Sequence, residues 1–197
     1  MIVRPAAKQD ALGFIALAGQ VEHWFGPMVG EPGFRAVLEK HIRRGTALVA
    51  DEGAGLLGGL LFSASPPAYH VRWLVVSEHA RGQGIGRALV ADAVRRFVMG
   101  PGTVDVVTFG ADHPGASASG ARVFYERLGF TPGEPAPPGP EGGSRQVYRK
   151  TVALTRAPVA VAFCGDRSAL VADEVCPADG IAAQLFLVCV REWCHQS

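Results

Sequence analysis

The order of apolar segments along the chain predicts an α/β fold with a mixed sheet, and three observations carry that reading. Short alternating or β-branched runs at residues 2–4, 46–50, 56–64, 69–76, 104–110 and 146–154 read as strands. Between them lie segments with apolar residues at helical spacing, at 11–20, 32–44, 87–98 and 117–128. Gly and Pro punctuate most of the junctions. The resulting order, β-α-α-β-β-β-α-β-α-β, combines a hairpin with strand–helix–strand units.

Residues 2–4 open the sheet and Pro5 ends the run. Asp10 stands just before the first helix, where its carboxylate is expected to accept from the orphan amides of the first turn. The link Val21-Glu22-His23-Trp24-Phe25-Gly26-Pro27-Met28 is rich in aromatics and broken by Gly and Pro. In the second helix Phe34, Val37, Leu38 and Ile42 share a face, and Gly45 ends it. The turn cluster 51–55 makes a hairpin of strands 46–50 and 56–64. Pro66-Pro67 separates that hairpin from strand 69–76. A basic, glycine-rich loop at 80–86 leads into a helix with Ala88, Leu89, Ala91, Val94 and Phe97 on its apolar face. Strand 104–110 follows, and Gly129 suits the end of helix 117–128. The Pro- and Gly-rich stretch 131–143 reads as a loop before the last strand.

The apolar content of 48% in 197 residues is that of a folded domain with a full core. A formal net charge of +1 gives no general attraction to nucleic acid or anionic membrane. No apolar run reaches the roughly 18–20 residues needed to cross a bilayer. The N-terminal MIVRPAAKQD lacks the apolar stretch of a secretory signal, so the cytoplasm is the expected location. Abundant Ala, Gly, Val, Pro and Arg with little Lys fits a bacterial coding bias. Cys164, Cys176, Cys189 and Cys194 show no C-x-x-C spacing; Cys194-His195 is a weak zinc motif, and no metal is assigned.

The chemistry concentrates in Val75-Val76-Ser77-Glu78-His79-Ala80-Arg81-Gly82-Gln83-Gly84-Ile85-Gly86-Arg87-Ala88-Leu89-Val90. A strand enters a loop with glycines at alternate positions, and the loop opens a helix. Amides at a helix start have no partner in their own helix and, with the helix dipole, suit a pyrophosphate. Arg81 and Arg87 can add charge-assisted contacts. A P-loop requires Gly-Lys-Ser/Thr where this chain has Gly86-Arg87-Ala88. A dinucleotide fingerprint would place the third glycine one residue later, and here a hairpin precedes the loop.

Arg81-Gly82-Gln83-Gly84-Ile85-Gly86 resembles the Arg/Gln-x-x-Gly-x-Gly/Ala signature of the GNAT superfamily of N-acetyltransferases. Trp73-Leu74-Val75-Val76 before it and Arg87-Ala88-Leu89-Val90 after it look similar too. Val123-Phe124-Tyr125-Glu126-Arg127-Leu128-Gly129-Phe130 resembles the F-Y-x-x-x-G-F helix end of that family. The resemblance spans about residues 2–154 and implies a mixed, mostly antiparallel sheet flanked by helices. It implies that acetyl-CoA is the cosubstrate, with the amides of Gly82, Gln83, Gly84, Ile85, Gly86 and Arg87 holding its pyrophosphate. Main-chain groups of Leu74, Val75 and Val76 would meet the pantetheine arm, and Tyr125 would protonate the leaving thiolate. One departure is Ala118, where the family often has Asn; Ser117 and Ser119 flank it.

The expected reaction is transfer of an acetyl group to a primary amine by direct attack in a ternary complex. The alternatives are a non-catalytic acyl-CoA-binding module and transfer of a longer acyl group. Glu22 is the expected general base. His23, His70, Asp112 and His113 are the other titratable candidates near the cleft, and water can relay the proton. Trp24, Phe25 and Met28 either form an acceptor wall or staple helices to the core. The acceptor is a small amine or a peptide or protein amine, with no nucleic acid or membrane partner. Residues 1–155 form the expected acetyltransferase domain. Residues 156–197 form an extension for packing or homodimer formation.

Overall fold

Seven strands form one sheet in the order β1-β2-β3-β4-β5-β7-β6 in a computed structural model that describes residues 1–53, 55–139 and 142–153. The strands are β1 (Ile2–Pro5), β2 (Ala47–Asp51), β3 (Leu56–Ser65), β4 (Ala68–Val76), β5 (Gly102–Phe109), β6 (Thr131–Ala136) and β7 (Arg145–Val152). The helices are α1 (Ala11–Gly19), α2 (Glu22–Phe25), α3 (Pro32–Arg43), α4 (Ile85–Phe97), α5 (Pro114–Ser119) and α6 (Ala121–Arg127). Every neighbouring pair of strands is antiparallel except β4 with β5. The mixed, mostly antiparallel sheet flanked by helices is therefore the fold. The four cysteines and the expected extension lie outside the described residues.

Each face of the sheet buries one core. On one face Leu60, Phe62, Tyr69 and Val71 pack with Ile85, Leu89 and Ala93 of α4 and with Tyr125, Phe130 and Tyr148. On the other, Val49, Leu61, Trp73 and Val75 pack with Phe14 and Leu17 of α1 and Leu38 of α3. Tyr69, Val71, Trp73 and Val75 alternate regularly yet serve opposite faces. The cause is a bulge: Leu61 pairs with Trp73 but the next residue, Phe62, pairs with Val71, so Arg72 is skipped. An extra residue in one strand turns all later side chains over. Leu74 and Val76 thereby point toward α4.

Three local expectations are corrected. Asp10 makes no side-chain bond at the start of α1. Its carboxylate accepts from the Ala7 amide at 2.7 Å, at the head of a 3₁₀ turn Lys8–Asp10, and takes two bonds from Arg4 at 2.7 and 2.9 Å. The segment expected as one helix at 117–128 is two, because Gly120 adopts φ 65° between them, in the left-handed region. Ser119 fastens the break by donating to the Gly115 carbonyl at 2.6 Å and accepting from the Ala121 amide. Within 131–143, expected as loop, β6 pairs with β7. Pro132 and Pro135 are tolerated there because an edge strand needs only one row of hydrogen bonds.

The Arg4 guanidinium also bonds Asp51 at 2.8 Å, joining β1, β2 and the 3₁₀ turn. Hydrogen bonding to Arg4 holds the Asp10 carboxyl below its ordinary range. The stabilisation is present above the unfolded pKa, about 3.9, and is lost as pH falls through the lower folded value. Asp10→Asn is expected to cost about 1.5–3 kcal/mol in urea unfolding at neutral pH, the range for bonds to charged groups. The loss should shrink as the wild type is acidified.

Candidate active site

The parallel pair β4 and β5 is bonded only over 68–71 and 103–106. Farther on, residues 73–76 of β4 pair with β3 alone, and 107–109 of β5 with β7 alone. The pairing of β4 with β5 thus ends partway, and β4 continues past it toward the glycine loop. Unpaired backbone edges inside a cleft offer donors and acceptors to a ligand that lies along them like a strand. Leu74, Val75 and Val76 line the β4 arm.

The loop at the end of that arm forms a nest of free backbone amides. Gly82 has φ 78° and Gly84 φ 80°, and Gly84 caps α4. A side chain at either position would be strained by that φ, although its Cβ would meet nothing within 4 Å. Among the described residues, none of the amides of 82–87 finds an acceptor. Residues 81–84 and Arg87 are exposed, while Ile85 and Gly86 are buried. Successive free amides in alternating conformations at the start of a 13-residue helix are suited to a phosphate group. Gly86 has a different task. A Cβ there would lie 3.0 Å from the Phe124 ring, so Gly86 lets α6 approach α4.

Gln83 donates to the His79 carbonyl at 3.2 Å, which shapes the loop. Sequence reasoning missed Gln20, whose Oε1 accepts from Ser77 Oγ and from the Glu78 amide, both at 3.1 Å. This ties α1 to the turn that precedes the nest. Arg81 carries its guanidinium 5.1 Å above the Trp24 ring and 3.9 Å from the Glu78 carboxylate.

Tyr125 lies in α6, 6% exposed, with its ring among Phe124, Phe130 and Tyr148. Burial pushes its pKa well above the ordinary phenol value. The hydroxyl has no hydrogen-bond partner among the described residues. It is a protonated donor with its bond to give.

α2 crosses between the two arms. Trp24 meets Arg81 on the β4 side, and Phe25 stacks at 4.7 Å on Phe109, the last residue of β5. His23 is exposed, with its ring 4.4 Å from that of Trp24. Trp24, Phe25 and Met28 all pack against the core under α1 and α3, so they do serve as staples. Glu22, the expected base, is committed elsewhere. Its carboxylate accepts from the Met28 amide at 2.5 Å and the Val29 amide at 2.7 Å, and these bonds hold its pKa below the ordinary range. A carboxylate fastened in this way is a weaker base, and its evident task is to close the turn after α2. Glu22→Gln keeps an oxygen for the same amides, and the rate–pH profile is expected to retain its shape.

The remaining candidates are scattered. His70 sits in the closed, paired part of β4, opposite Ser63 and Asp105. Its Nε2 is buried without a partner among the described residues, and burial lowers its pKa. Asp112 accepts from Ser144, which lowers its pKa. His113 stacks on Phe109 and accepts from the Gly115 amide at 2.9 Å, capping α5. Ala118 is exposed. No cluster of three or more metal-ligating side chains occurs among the described residues, and none of their helices is long and apolar enough to cross a membrane.

Residues 43–132 match the model of the acetyltransferase (GNAT) domain family. No curated protein sequence matches the chain. Among solved structures, a protein described as a GNAT-family acetyltransferase from Desulfovibrio desulfuricans is 24% identical, with a TM-score of 0.62 over 77% of this chain and 99% of that one. The ribosomal-protein-alanine N-acetyltransferase of Brucella melitensis is 17% identical, with a TM-score of 0.61 over 77% of this chain and 100% of that one. A chain of the NatC complex bound to Gag peptide and CoA is 14% identical, with a TM-score of 0.57 over 77% of this chain and 98% of that one. At these identities the likeness is one of fold.

Proposed function

We propose that this domain transfers the acetyl group of acetyl-CoA to a primary amine. The free amides of 82–87 at the mouth of the β4/β5 cleft carry the reading, because they suit a diphosphate whose attached arm can run along Leu74, Val75 and Val76. Arg81 and Arg87 add positive charge to the nest.

The reaction is direct. The amine nitrogen attacks the thioester carbonyl, the C–S bond breaks, and the sulfur leaves as a thiolate that takes the Tyr125 proton. The ammonium formed at nitrogen releases its proton to water, since the Glu22 and Asp112 carboxylates already accept hydrogen bonds within the protein. The phenol regains its proton from solvent. The cysteines all lie beyond residue 163, so no covalent acyl-enzyme on a thiol of the domain is invoked. Similar folds carried by a ribosomal-protein-alanine N-acetyltransferase and a peptide-bound NatC chain favour a peptide or protein amine as one acceptor to test.

Titration calorimetry with acetyl-CoA is expected to show one site, and no heat at millimolar ligand would remove the proposal. Thiol release with a panel of peptide and small amines then separates an enzyme from a binding module. Propionyl- and succinyl-CoA test the acyl chain.

A further inference from the structure

We propose that Arg81 is contested between the Trp24 ring and the cofactor diphosphate, which makes Trp24 a positioning residue that couples the nest to the acceptor side. This rests on the assignment of the nest to acetyl-CoA.

The geometry places one cation among three uses, the Trp24 ring, the nest and the Glu78 carboxylate at 3.9 Å, and the last is the same in every Trp24 variant. The Arg81 guanidinium lies over the indole of Trp24 at 5.1 Å. Its residue is also the first of the glycine loop, directly before the free amides of 82–87. Hydrogen bonds between guanidinium and phosphate are stronger and more directional than an exposed cation–π contact. A diphosphate in the nest therefore draws Arg81 off the ring. Trp24 is held in place meanwhile. The Glu22 carboxylate locks the turn after α2, and Phe25 stays stacked on Phe109 at the β5 arm. The departing cation thus uncovers one face of a fixed indole beside the nest, a surface open to an acceptor that enters between the β4 and β5 arms. Because coupling between two binding events is reciprocal, an acceptor that rests on that face strengthens acetyl-CoA binding by the same factor.

The sign of the effect gives the test. Trp24→Leu keeps an apolar side chain in the core but removes the ring that competes for Arg81. Calorimetry is expected to show acetyl-CoA binding about 2–5-fold tighter than wild type, the range of an exposed cation–π contact. The acceptor KM should rise. In Arg81→Ala, adding Trp24→Leu should leave acetyl-CoA affinity unchanged. Acetyl-CoA should also alter the tryptophan fluorescence of the wild type, and that component should vanish in Trp24→Leu and in Arg81→Ala. Circular dichroism checks that each variant is folded, and Trp24→Phe, which keeps a weaker ring, should fall between. Acetyl-CoA affinity in Trp24→Leu that is equal to or weaker than wild type overturns the coupling while leaving the nest assignment intact. No binding by the wild type overturns both.

Discussion

Gly84→Val is expected to weaken acetyl-CoA binding about 10–100-fold while the domain stays folded. Gly84 adopts φ 80°, where an L side chain costs roughly 1–2 kcal/mol. Its Cβ would meet no protein atom within 4 Å, so steric damage to the core is absent and the stability loss stays near that strain. Relief of the strain requires the loop to turn, and turning re-aims the amides of 82–87. Losing even one charge-assisted bond removes about 1.5–3 kcal/mol, which is about 10–100-fold in Kd. Gly86→Ala provides the contrast. Its methyl meets the Phe124 ring at 3.0 Å, so its damage falls on packing between α4 and α6. It should reduce affinity less than Gly84→Val does, and calorimetry on both variants checks the order. A Gly84→Val protein that binds acetyl-CoA as wild type does would remove the nest as the phosphate site.

The nest was legible in the sequence for the same reason that the substitution should harm it. Glycines at alternate positions between a strand and a helix leave few backbone solutions, and positive φ is the one that needs glycine. The amphipathic pattern that holds Tyr125 was legible too, and its ring packs against Phe124 and Phe130. The arrangement of α2 was not. A four-residue helix is too short to show a period, and the partners of Glu22 are amides six and seven residues away, brought near by the turn. The bonds by which this carboxylate fastens a loop were therefore hidden in a reading of the aromatic link. The bulge at Arg72 was equally hidden, because buried residues keep alternating through it while the face changes. β6 escaped because its composition is that of a loop, and only its pairing with β7 makes it a strand.

Tyr125→Phe should lower kcat by about 10²–10⁴-fold, the usual worth of a positioned acid, with little change in acetyl-CoA affinity. The substitution removes one oxygen from a ring otherwise packed against Phe124, Phe130 and Tyr148, so the fold should persist. No described residue bonds the hydroxyl, hence no partner is left unsatisfied. The pH dependence separates an acid from a spacer. Burial raises the Tyr125 pKa above its unfolded value of about 10, so the phenol keeps its proton across the working range. An alkaline fall in kcat below about pH 10 cannot then come from this group. The linkage runs the same way. A raised folded pKa contributes stability that is complete below the unfolded pKa and is lost as pH rises toward the folded value. The wild type should lose stability above about pH 10, and Tyr125→Phe should lose less. Single-turnover acyl transfer by Tyr125→Phe at the wild-type rate would show that the thiolate leaves without this proton, and the acid would have to be sought elsewhere in the cleft.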